Sequence, residues 1–301
     1  MKYQTITCKK ALHKLKSGRL PFLWDLNIYR GCEHQCQYCY AIYSQKYLGS
    51  EDFYDTIYLK KNIASALEKQ LSSRAWKRET INIGGVTDSY QPIEQKMQLM
   101  PEVLKVMIKY SNPIIISTKS DLLLRDIELI NQLSKVTHVT IAASITTLDE
   151  FVRKKVEKRA VSSERRFLML QEIKENTNAS IGVHMMPIIP YLTDSYENIE
   201  AIYARAYEIG VDYILPGTMY LRGDTKPTFL NFVKKEYKDN YTLMLELYQQ
   251  ARLNKEYKDN LYKMLSIIQK KYPVSNDYKI KMIENQRKCK EKYKQLSLFD
   301  E

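Results

Sequence analysis

Residues 31–40 read GCEHQCQYCY and hold three of the five cysteines in this 301-residue chain. Cys32, Cys36 and Cys39 stand at the spacing C-x3-C-x2-C. Thiolates are soft ligands, and three on one short loop can converge on one metal centre. A structural zinc site takes four ligands, usually in closely spaced pairs. His34 lies inside the loop but does not fit such pairing, and Cys8 and Cys289 are remote in sequence. A four-iron four-sulfur cluster explains three cysteines better. Three thiolates hold three irons, and the fourth iron stays open to a ligand from outside.

Around this loop the chain alternates short β-like runs with longer amphipathic stretches. Strands are expected at 26–29, 80–83, 114–117, 138–143, 179–184 and 213–215, and helices at 63–71, 96–110, 122–133, 163–174 and 196–209. Alternating β and α units imply a parallel sheet covered by helices, as an incomplete barrel or an open doubly wound sheet. In either case ligands collect at the C-terminal ends of the strands.

The residues at those ends are the site candidates. After the second strand comes Gly84-Gly85-Val86-Thr87-Asp88-Ser89-Tyr90, where paired glycines let backbone approach a ligand, or simply make a turn capped by Asp88 or Ser89. Lys119 ends the third strand, as a compact charge for a carboxylate or as a solvated lysine. Ser144 closes the fourth strand among small residues, leaving room for a nucleoside. Glu157, Arg159 and Arg166 follow, and His184 and Met185 lie on the fifth strand. His184 reads first as a satisfied interior histidine. Met185 borders a pocket or packs in the core.

Together these motifs resemble the radical S-adenosylmethionine (SAM) superfamily. The combination YRGCEHQCQYCYA, GGVTDSYQPIE, STKSDLLLRD and ASITTLDE through VEKRA resembles its spore photoproduct lyase-like, or DNA repair photolyase-related, family over about residues 20–225. It is also similar to the radical SAM mobile pair protein B group, which implies a second radical SAM protein as a partner. The resemblance implies a partial (βα)6 TIM-like barrel, a [4Fe-4S] cluster on Cys32, Cys36 and Cys39, and SAM on the open iron. An electron from a donor protein then cleaves SAM to a radical that abstracts hydrogen. It further implies that Tyr38, Gly84, Gly85, Thr87, Lys119, Ser144, Arg159 and Met185 hold SAM. Tyr38, Tyr40, Asp88 and Tyr90 become the catalytic candidates, the first two through the shared YCY sequence. Two departures stand out. The usual Glu-Pro-Arg is Glu157-Lys158-Arg159 here, and the hydrogen-returning cysteine expected near the end of the second strand is absent from residues 81–88.

The chain carries a net charge of +12, which suits a polyanion such as DNA or serves solubility. Residues 231–301 hold sixteen Lys and Arg against ten Asp and Glu, with apolar residues at helical spacing: Tyr241, Leu245, Tyr248, then Leu261, Leu265, Ile268. The hexapeptide KEYKDN occurs at 235–240 and 255–260, as a repeat or by chance. A final basic helix is expected over about 278–294. The reading divides the chain into a lead-in (1–24), a radical SAM core (25–230), a basic helical extension (231–294) and a flexible tail (295–301). The tail sequence QLSLF, residues 295–299, resembles the motif that docks bacterial repair proteins onto the polymerase sliding clamp, with Leu296, Leu298 and Phe299 as apolar anchors and Gln295 as the polar contact. No run reaches the roughly 18 apolar residues of a membrane helix, and the N-terminus MKYQTITCKK is not a signal peptide. A cytoplasmic protein with reduced thiols is expected.

Overall fold

The structure is a computed structural model that describes residues 1–16, 20, 22–48, 53–284 and 287. Cys289, the end of the expected final helix and the whole of residues 295–301 lie outside the described residues.

Among the described residues ten strands form two sheets: β1 Lys2–Ile6, β2 Leu12–Lys14, β3 Trp24–Leu26, β4 Tyr29–Arg30, β5 Thr56–Lys60, β6 Ile81–Ile83, β7 Ile114–Thr118, β8 Val139–Ser144, β9 Ser180–Ile188 and β10 Tyr213–Thr218. The large sheet has the order β10-β9-β8-β7-β6-β3-β2. Its six strands from β3 to β10 run parallel, and β2 pairs antiparallel with β3 at the edge. An open doubly wound sheet reverses its strand order at a switch point. Here the parallel strands follow one another without reversal, which is the order of a barrel left open between its first and last strands. Five of the six expected strands match their observed elements within a few residues. The first divides into β3 in the barrel and β4 in the small sheet β1-β5-β4, which was not foreseen. That small sheet puts a parallel β1-β5 pair beneath the cysteine loop, using residues read as a lead-in.

The helices that cover the sheet among the described residues include α1 Ile63–Leu71, α2 Glu94–Met97, α3 Leu99–Lys109, α4 Ile127–Val136, α5 Glu150–Val156, α6 Ser163–Asn176, α7 Tyr196–Glu208, α8 Thr225–Glu236, α9 Tyr241–Leu247 and α10 Lys255–Lys271, and residues 278–284 are helical as expected. The helix expected over 96–110 is broken at Gln98, which is left-handed (φ 50°). The break has a cause. The Glu94 carboxylate accepts the N–H groups of Leu99 and Met100 (3.1 and 2.9 Å), and Pro101 suits the first turn of a new helix. Residues 122–126, expected as α-helix, form a 3-10 turn before α4. Helix α5 was not expected. It begins where Asp149 accepts from Phe151 and Val152 N–H groups.

Each strand of the barrel turns alternate side chains to opposite faces. The outer face carries Leu26, Ile81, Ile83, Ile114, Ile116, Ile141, Val183 and Ile214, all buried against the helices in the main apolar cluster. The β-branched run Ile114-Ile115-Ile116 suits a parallel strand covered on both faces. α10 packs on α7 and adds Leu261, Leu265 and Ile268 to this cluster. A second cluster joins α8 and α9 to the cysteine loop, with Phe229, Phe232, Met244 and Tyr248 beside Cys36 and Tyr38. Of the apolar residues at helical spacing in this region Leu245 is exposed, and its neighbour Met244 is buried instead. The two KEYKDN copies have different structures: residues 235–240 end α8 and form a 3-10 turn, while 255–260 open α10. Among the described residues no helix is long and apolar enough to cross a membrane.

Candidate active site

The inner face of the same strands carries their polar side chains, set beside Ile115 and Ala142. Asp25 of β3 accepts from Asn82 (2.8 Å) and Asn27 (2.5 Å), and the Asn27 amide oxygen accepts from the N–H of Val86 (2.8 Å). Ser117 of β7 lies 3.2 Å from Nδ1 of His184, whose Nε2 lies 3.1 Å from the Tyr213 hydroxyl. Burial, reinforced by Lys119, lowers the His184 pKa to about 4, so the imidazole is neutral, with one nitrogen donating and the other accepting. Gly182 exists because the Tyr213 ring lies where its Cβ would be, within 2.2 Å.

The cysteine loop crosses the C-terminal end of this face. Gly31 starts it at φ +77°, and a Cβ there would come within 2.5 Å of the Thr56 carbonyl. Cys36 forms an antiparallel bridge with Glu157, and the Gln37 N–H donates to the Val156 carbonyl at 2.9 Å. Tyr54 donates to the Cys36 carbonyl (2.6 Å), and the Thr225 hydroxyl of α8 donates to that of Cys39 (3.2 Å). Cys32 and Cys36 are buried and Cys39 half-buried, and all three are free thiols. Burial pushes each thiol up to about 12. A metal that coordinates the sulfurs removes that obstacle, because bound thiols are deprotonated outright. Among the described residues no three His, Cys, Asp or Glu side chains close on a single ion position. Three free thiols on one loop are the donor set that a cluster with three cysteine-held irons takes, so the residue types fit such a group.

Beside the loop lies a buried charge group. Glu157 receives the Tyr38 hydroxyl on one oxygen and the Arg166 guanidinium, 2.5 Å away, on the other. Arg166 also donates to the Ser144 carbonyl at 2.6 Å. Burial alone would raise Glu157, but Arg166 and Lys119 hold it below its ordinary value. Lys119 lies 5.7 Å above the Tyr38 ring. Burial opposes its charge, yet Cys36 and Glu157 keep its pKa above the ordinary lysine value. The lysine is therefore a cation next to the cysteine loop at a strand end.

The structure brings Cys32, Cys36, Cys39, Tyr38, Tyr40, Gly84, Gly85, Lys119 and Ser144 to this one end of the barrel. Gly84 needs its positive φ of +92°, and a Cβ on Gly85 would come within 2.4 Å of Asp25. Tyr40 is 59% exposed and its hydroxyl donates to the Gly85 carbonyl.

Five expected site residues are turned away. Asp88 is a brace: it accepts from Thr118 (2.8 Å), from the N–H groups of Lys119 (2.7 Å) and Tyr90 (2.9 Å), and lies 3.0 Å from His34 Nε2. Burial alone would raise it, but His34 and those N–H groups bring its pKa down to about 2. Tyr90 is fully buried with its hydroxyl on Asp126 (3.1 Å). Thr87 is buried with its hydroxyl 3.4 Å from the Tyr29 carbonyl. The Arg159 side chain is exposed and reaches Met1, so Arg166 is the basic partner of Glu157. Met185 points outward into the main cluster, and Met186 faces inward against Gly217. Pairing across the sheet, Ser117 with Ala142, Ser144 with His184 and Gly182 with Tyr213, sets the inner face, and no motif spacing in the sequence marks it.

Fold and site together define a partial α/β barrel with a three-thiol loop at the open end of its sheet. The radical SAM superfamily model matches residues 26–206, and the chain belongs to that superfamily of enzymes. An uncharacterized protein of Mycobacterium tuberculosis is 30% identical over 255 residues, covering 83% of this chain and 74% of its own. An uncharacterized protein of Methanocaldococcus jannaschii is 28% identical over 233 residues, covering 77% of this chain and 76% of its own. Among solved structures, spore photoproduct lyase complexed with dinucleoside spore photoproduct superposes with a TM-score of 0.65 at 14% identity, over 90% of this chain and 79% of that one. A variant of that lyase with bound AdoMet and the same dinucleoside gives a TM-score of 0.61 at 13% identity, with the same coverage.

Proposed function

We propose that this protein is a [4Fe-4S]-dependent radical SAM enzyme that acts on DNA, by lesion repair or base modification. The observation that carries the reading is the free three-cysteine loop standing at the strand ends beside Lys119. Cys32, Cys36 and Cys39 would hold the cluster. Gly84, Gly85, Lys119 and Ser144 would hold SAM. When bound, the pair supplies a hydrogen-abstracting radical by reductive cleavage of SAM. The chain's own residues do the rest. Lys119 offers a fixed cation to a carboxylate, and Glu157 and Arg166 fix Tyr38 and the Ser144 end of β8. The second cluster, with Phe229 and Tyr248, covers the loop from outside and excludes water.

DNA as substrate is supported by the +12 charge and by the fold likeness to a lyase solved with a dinucleoside lesion. Chemistry on a base requires lifting it from the stack into such an opening. Residues 81–88 contain no cysteine, which favours a reaction whose hydrogen is not returned by a thiol at that strand end. Base modification therefore stands beside lesion repair. An electron donor is required, and reduced thiols suit the cytoplasm.

The test is anaerobic reconstitution with iron and sulfide, then SAM, dithionite and DNA with or without thymine lesions. The expected result is 5′-deoxyadenosine together with a mass change in the DNA. Formation of 5′-deoxyadenosine with no change in any DNA would sink the substrate reading. No 5′-deoxyadenosine at all, with iron fully loaded, would sink the enzyme reading.

A further inference from the structure

At the same end of the barrel, but outside its inner face, α5, the turn after it and α8 enclose a cleft of about 440 Å³. Lys154, Lys155, Lys158 and Lys235 line it, with Glu236 as the single carboxylate and Phe232 below. Lys155 is engaged within the protein. Its ammonium is 3.4 Å from Glu236 and stands over the rings of Phe151 (4.6 Å) and Tyr237 (4.9 Å). Lys154, Lys158 and Lys235 are exposed and have no ion-pair partner among the described residues. Three uncompensated ammonium groups around one concavity repel one another and attract an anion. Asn231, exposed one turn before Lys235 on α8, adds a neutral donor.

The composition points to one kind of anion. The lining has lysines and no arginine, so it offers point charges and no bidentate fork for a terminal carboxylate. Its aromatic residue, Phe232, is buried and offers no face for a base to stack on. Charges without base contacts match phosphodiester groups, which position a strand and leave reading of bases to another place. Gln37 also lines the cleft and lies between Cys36 and Tyr38, so whatever occupies the cleft abuts the cysteine loop.

We propose that this α5–α8 cleft grips backbone phosphates of the nucleic-acid strand whose target base enters the open end of the barrel. The inference rests on the nucleic-acid reading above. The test is anisotropy of a fluorescent oligonucleotide titrated with the reconstituted protein across a potassium chloride series. Three proteins are compared with wild type: Lys154→Gln/Lys158→Gln/Lys235→Gln, the same positions changed to Arg, and a control with Lys255→Gln/Lys263→Gln/Lys270→Gln on α10. Each lost phosphate contact lowers the slope of log K against log salt by about 0.7–0.9, so the cleft triple should flatten it by about 2–3. The Arg triple should keep the wild-type slope, as should the α10 control. Unchanged melting temperature shows that the cleft triple is folded. If wild type binds and the cleft triple keeps its slope, or the α10 control loses as much, the cleft assignment is overturned while the DNA reading stands. If wild type shows no salt-dependent binding, the DNA reading falls and the cleft with it.

Discussion

The six parallel strands present two faces that obey different rules. The outer face is aliphatic, and its side chains are held by non-directional packing against helices. The inner face carries Asp25, Asn82, Ser117, His184 and Tyr213, each held by named hydrogen bonds. Burial of polar groups costs free energy unless every partner is in place. The outer face therefore specifies the fold, and the inner face spends part of that stability on a site.

The sharpest way to break this division is at the cysteine loop. Cys36→Ala should reduce bound iron to background after reconstitution, with the unfolding midpoint of the metal-free protein nearly unchanged. Loss of the fold instead would make Cys36 a packing residue. Next comes the buried pair. Arg166→Met leaves the Glu157 charge unpaired and should cost about 3–5 kcal/mol in urea unfolding. Arg166→Met with Glu157→Gln should recover part of that loss; no recovery would mean the pair is not coupled.

Adjacent methionines give the most direct test of the two faces. Met185→Ala, outward and fully buried, should cost about 3 kcal/mol. Met186→Ala, inward and half-buried, should cost less than half as much. Equal costs would erase the distinction.

A smaller effect concerns acid. The Asp88 pKa lies at about 2, below the ordinary value of 3.8. Its contribution is present above about pH 4 and is lost as pH falls through 2. That amounts to about 2 kcal/mol, and Asp88→Asn should flatten this part of the stability–pH curve. Least affected should be Tyr213→Phe, which removes one inner-face hydrogen bond for about 1 kcal/mol.

Period and composition reveal the outer face well, because hydrophobicity alone fills it. Strands β6 to β10 and helices α1, α6 and α7 were legible for that reason. The break at Gln98 was not, since it depends on Glu94 capping a helix five residues later. Motif spacing picks out the cysteines, the glycine pair, Lys119 and Ser144, which the fold brings to one end of the barrel. The same spacing does not separate them from Asp88, Thr87 and Tyr90, which bond within the protein, because a polar residue near a strand end can brace the turn as readily as face the opening. The Glu-x-Arg pattern points to Arg159, whereas the ion-pair partner of Glu157 is Arg166, brought back on the first turn of α6. Met185 and Met186 stand on opposite faces because strand neighbours alternate, and the sequence around them does not say which one faces inward.

The bridge between Cys36 and Glu157, with the Gln37–Val156 hydrogen bond beside it, also has a consequence in time. The two halves of this contact are 121 residues apart at Cys36 and Glu157. At about 5–20 residues per second, a ribosome needs roughly 6–24 s to make the second half after the first. During that interval the three cysteines are translated but their loop has no wall to rest on. Under the cluster reading proposed above, iron that arrives after the β8–α6 segment is complete would meet a formed receptacle, and iron that arrives earlier would meet only a thiol-rich strand of nascent chain.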